Sequence, residues 1–106
     1  MNVEIAENHK DDIKRELDRE IQMALEKCGL VAEGYAKRLC PVDTGNLRNS
    51  ITHTVRDVTV YIGTNVEYAP YVELGTTRTR AQAFLKPAIM DHVKEYQAIL
   101  NNHLKE

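Results

Sequence analysis

The fold turns on three blocks between Pro41 and Ala88. They read Pro41-Val42-Asp43-Thr44-Gly45-Asn46-Leu47-Arg48, Tyr68-Ala69-Pro70-Tyr71-Val72-Glu73-Leu74-Gly75-Thr76 and Ala83-Phe84-Leu85-Lys86-Pro87-Ala88. Turn formers, tyrosines and prolines are dense here, and no catalytic grouping stands among them. Such a segment is built to hold a shape and touch a neighbour.

Asp43-Thr44-Gly45 is a turn with a mechanism. The Asp and Thr side chains bond nearby backbone N–H groups, and Gly45 is free to take a positive φ. Thr44 or Asn46 then caps one turn of helix through Leu47 and Ser50. Ile51, His53 and Val55 alternate with polar residues, as do Val58, Val60 and Ile62, so two strands are expected. The short link at Asp57 makes them an antiparallel hairpin, with weak turn chemistry. Pro70 suits the first turn of a short helix and Gly75 its end. Residues 76–82 form a polar loop carrying Arg78 and Arg80. Pro87 opens a last helix, with Ile89, Val93, Tyr96, Leu100 and Leu104 inward.

Before the first block, Ile13, Leu17, Ile21, Ala24, Cys28, Val31, Tyr35 and Leu39 recur every ~3.7 residues, the period of one helix face. Asn8 is a candidate cap. Glu7, Asp11 and Asp12 suit the positive end of the helix, and Lys37 and Arg38 the negative end. Pro41 stops it, giving one helix from Asp11 to Leu39. Gly29 and Gly34 interrupt it, which implies a bend or a closely approaching backbone. The class is therefore α+β, one domain over 1–106: a long amino-terminal helix, a small antiparallel sheet, a short helix and a carboxy-terminal helix. A lone hairpin is marginal in water. A further strand must come from residues 66–68, from 76–85 or from another subunit, so an oligomer is expected.

With 106 residues the chain can bury roughly 65% of its unfolded surface. A net charge of −2 argues against a dedicated nucleic-acid binder. The charge is uneven: residues 1–20 hold seven acids and four bases, residues 37–86 seven bases and four acids. Opposite ends of opposite sign suit head-to-tail stacking. Cys28 and Cys40, about 18 Å apart along one helix, are too distant to bridge, and read as reduced thiols. No apolar run is long enough to cross a membrane. A cytoplasmic setting is expected, unless the chain leaves it within a larger particle.

No catalytic, metal or cofactor site is expected. His9, His53, His92 and His103 lack metal-ligand spacing. Asp43, Glu67 and Glu73 are the acids that could meet, and Ser50 has no nucleophile elbow. Arg78, Arg80 and Lys86 form the basic stretch suited to a partner's carboxylate or, alternatively, to nucleic acid together with Arg48 and Arg56. Tyr68 and Tyr71 are interface-type residues beside it.

The three blocks resemble the gene-product-ten family of lambdoid HK-type tailed phages, whose members are tail-component or head–tail joining proteins. Ala83 stands where that family commonly has proline. The resemblance implies a non-enzymatic virion protein of the neck or tail, from a phage or prophage, assembling as a homo-oligomeric ring with other neck or tail proteins. It implies structural roles for Pro41, Asp43, Thr44, Gly45, Leu47, Gly75, Phe84, Leu85 and Pro87. Tyr68, Tyr71, Glu73, Arg78 and Arg80 are the candidate subunit interface.

Overall fold

The computed structural model describes residues 10–41 and 45–104. Helix α1 runs unbroken over Lys10–Leu39, followed by α2 (Gly45–Ser50), β1 (Thr52–Arg56), β2 (Thr59–Gly63), α3 (Ala69–Leu74), α4 (Leu85–Met90) and α5 (Val93–Leu104). This is the expected α+β order. Asn8, Glu7, Asp43 and Thr44 lie outside the described residues, so their capping and turn roles are not among the structural facts; α2 begins at Gly45.

The hairpin pairs Thr52 with Gly63 and Arg56 with Thr59, antiparallel, and no other strand pairs with it among the described residues. Residues 66–68 and 76–84 supply none. What supports the two strands is α1. His53, Val55, Val60 and Ile62 are half-buried on the inner face, while Thr52, Thr54, Arg56, Thr59 and Tyr61 are exposed. Val58 does not extend β2 as its alternation suggested. It sits in the turn, 71% exposed, because Asp57 at φ 54° ends the ladder first.

α1 packs against the hairpin and against α4 and α5. Its buried row is Cys28, Ala32, Ala36 and Cys40, with Ala24 and Leu25. These small side chains let neighbouring elements approach the helix closely. The expected inward row is thus shifted: Val31 and Tyr35 are half-buried, and Leu39 and Leu17 are exposed. Phe84, Leu47 and Ile51 are the large residues buried completely, and Ala69 and Ala88 pack with them. The last helix is two helices. α4 starts at Leu85, two residues ahead of Pro87, and the chain turns at Asp91–His92 before α5. The His92 ring stacks on Tyr35 at 3.6 Å, which fixes that turn, and Ile89 and Val93 flank it exposed. Tyr35 also donates its hydroxyl to both Glu95 carboxylate oxygens, at 2.6 and 2.9 Å.

Gly29 explains itself differently from a bend. A Cβ there would lie 2.4 Å from the His53 ring, so a side chain, not a backbone, makes the close approach. Gly34 has open space around it. Cys28 and Cys40 are both buried and form no disulfide, and burial pushes the Cys28 thiol up in pKa.

Candidate functional site

The second and third sequence blocks build one device. In α3, Pro70 occupies the first turn, where a missing N–H costs nothing. Gly75 closes the helix at φ 78°, donating to the Tyr71 carbonyl at 2.8 Å. The following loop folds straight back. Thr76 accepts at its hydroxyl from the amides of Arg78 and Thr79, and the Gln82 amide returns to the Val72 carbonyl at 2.8 Å. A Cβ on Gly75 would stand 2.7 Å from the Ala81 nitrogen. Residue 75 therefore has to be glycine twice over, for conformation and for space.

Glu73 locks the loop's far end. Its Oε1 accepts from Phe84 and Leu85 amides at 2.9 Å, and its Oε2 from the Lys86 amide at 3.0 Å. The first turn of a helix leaves such donors without partners. The next residue, Pro87, has no N–H to satisfy, so one carboxylate serves the whole turn. Burial works against its ionisation, but the three amides outweigh that and hold the carboxyl below the usual glutamate range. Residues 75–84 are consequently a pinned strap, fixed at both ends.

Pinning the strap leaves α3 a bare face. Tyr71 is 62% exposed and Leu74 78%, with Tyr68 beside them. Tyr68, Tyr71 and Arg80 meet with Pro41, Val72 and Gln82 around a cleft of about 260 Å³. Three of the five candidate interface residues are thus brought together. Arg78 is exposed on the strap without lining the cleft, and Glu73 points inward to α4. The guanidinium groups of Arg78 and Arg80 have no side-chain partner among the described residues. Of the proposed structural positions, Leu47 and Phe84 are core, Pro41, Leu85 and Pro87 are half-buried, and Gly75 shapes the strap. Arg48 and Arg56 belong to other elements, Arg56 lying 6.0 Å from the Tyr61 ring on the hairpin's outer face. Glu67 is exposed.

A second cluster had no counterpart among the sequence candidates. His53 points at α1, with Nε2 2.6 Å from Glu26 and Nδ1 3.0 Å from Glu33. Carboxylates only accept, so two such partners favour the doubly protonated ring, in which both nitrogens donate. Burial disfavours that charge, but the two carboxylates outweigh it and raise the His53 pKa. Glu26, Gly29 and Glu33 are spaced three and four apart on one helix face, which was the available signal. The cluster fastens the hairpin to α1.

No group of three or more His, Cys, Asp or Glu side chains suited to a metal occurs among the described residues. No helix there is long and apolar enough to cross a membrane. Residues 4–75 match one protein-family model, described as "Bacteriophage HK97-gp10, putative tail-component". No curated protein and no solved structure matches the chain.

Proposed function

We propose a structural role in the virion from one premise: the chain belongs to the HK97-gp10-like family of bacteriophage tail components. The chain acts, on this reading, in head–tail joining or tail completion of a phage or prophage. It self-associates into a ring and bridges other neck or tail proteins, and it makes or breaks no bond. It works in the virion after assembly in the host cytoplasm.

The observation that carries this reading is the pinned strap, which presents Tyr68, Tyr71 and Arg80 around one cleft in a chain of that family. Tyrosine and arginine are the residues that anchor protein interfaces, and a fixed loop loses little entropy when it docks. Deleting the gene from the phage that encodes it tests the role. Separated heads and tails, joined into infectious particles again when the chain is supplied in trans, are expected. Normal infectious particles overturn it. Salt-sensitive binding to duplex DNA by the purified chain would instead favour the nucleic-acid alternative.

A further inference from the structure

The amino-terminal third of α1 and the strap cleft are complementary, and they lie far apart. Every side chain from Lys14 to Arg19 is exposed. Leu17, in the apolar column of Ile21, is 55% exposed. Glu16 and Glu20 form a second column directly beside it, since neighbouring residues sit about 100° apart on a helix. This surface is an apolar knob with the carboxylates of Glu16 and Glu20 along one flank and Lys14 and Asp18 along the other. The cleft is the converse, with tyrosine walls and a guanidinium at the rim. Its 260 Å³ exceeds several waters of about 30 Å³ each, enough for one aliphatic side chain.

One molecule cannot bring the two together. From Leu17 to Leu39 the unbroken helix runs about 33 Å, and it cannot fold back on itself. We propose that the amino-terminal third of α1 of one copy seats in the cleft of the next, with Leu17 between Tyr68 and Tyr71 and Glu16 facing Arg78 and Arg80. Glu20 flanks the contact but lies 3.8 Å from His103 of its own chain, so Glu16 is the freer acid. The two surfaces differ, so the contact is heterologous and repeats from copy to copy until it closes. This pairing rests on the self-association proposed above and names the surfaces that make it.

Cross-linking tests it. A Leu17→Cys chain is mixed at high concentration with a Tyr71→Cys chain, and the mixture is oxidised. The native thiols are buried in both. The mixture is expected to yield a two-chain species joined at 17 and 71, which neither variant gives alone. Arg78→Glu with Arg80→Glu in the Tyr71→Cys partner abolishes it, and Glu16→Arg in the other recovers part of it. All these positions are exposed, and cooperative unfolding by circular dichroism verifies each variant's fold. Absence of the 17–71 link, or its indifference to charge reversal, overturns the pairing. Sedimentation of the unaltered chain separates this from the ring reading. Rings without the link remove only this contact; a linked closed pair keeps the contact and removes the ring; a single chain throughout, with no link, removes both.

Discussion

Carboxylates fasten both the strap and the hairpin, yet they hold opposite kinds of partner. Glu73 grips three backbone amides from eleven to thirteen residues downstream, donors that never titrate. Glu26 and Glu33 grip the His53 ring, twenty and more residues away, a group whose charge is lost as pH rises. The difference gives the two regions opposite pH signs. Glu73 has a lowered pKa, so its contribution is present above the ordinary glutamate range and lost as pH falls through the lowered value. His53 has a raised pKa, so its contribution is full below 6.5 and lost as pH rises through the raised value. Glu33, held low chiefly by its bond to His53, sets the hairpin clamp's own acid limit.

The largest break expected is Glu73→Ala. Three first-turn amides lose a charged acceptor together, which costs on the order of 2–4 kcal/mol. Urea unfolding at neutral pH measures it, and hydrogen exchange at Phe84–Lys86 should accelerate while exchange in β1 and β2 does not. Glu73→Gln keeps one acceptor oxygen and recovers about half. A cost under about 1 kcal/mol would mean that packing of Phe84, not the carboxylate, sets the strap. Gly75→Ala comes next, at about 1–3 kcal/mol, because φ 78° and the Ala81 backbone both oppose a Cβ. Gly34→Ala, with open space around it, should instead stabilise by up to about 1 kcal/mol.

His53→Ala sharpens the comparison through its pH dependence. Its cost is expected at about 1–2 kcal/mol near pH 6 and to shrink as pH is raised towards 9. Unfolding curves of both proteins across that range settle it. A gap constant in pH would mean that the ring acts only as packing against Gly29.

The strap end was the more legible of the two regions. Pro70 and Gly75 punctuate it, and their effects are local, so α3 and the loop after it were expected from residues a few positions apart. Glu73's task was not, because a carboxylate's backbone partners leave no mark in their own side chains. One clue stood in plain view: Ala83, Phe84 and Leu85 offer no capping oxygen to a helix starting there, so an acceptor had to come from elsewhere. Periodicity revealed α1 without revealing how far the body covers it, which is why Leu17 and Leu39 were expected inward. The cut between α4 and α5 depends on Tyr35 stacking with His92 across 57 positions, which no local pattern encodes. Tyr68, Tyr71 and Arg80 converge because the strap folds back, a consequence of turn residues already visible in the sequence.

The smallest effect concerns the hairpin's own turn. Asp57 holds φ 54°, a region that glycine enters freely and aspartate with some strain. Its carbonyl accepts from the Gln22 side chain, a tie to α1 that a glycine at 57 would keep. Asp57→Gly should therefore stabilise by about 0.5 kcal/mol, the relief of strain being partly offset by a more flexible unfolded chain. Gln22→Ala should cost a similar amount, since its bond to the Asp57 carbonyl is exposed. If Asp57→Gly stabilises equally in the presence and absence of Gln22, local turn chemistry and the α1 tie are independent. If the gain grows when Gln22 is removed, α1 has been compensating for the weak turn, and the hairpin end is held from outside where the strap end holds itself.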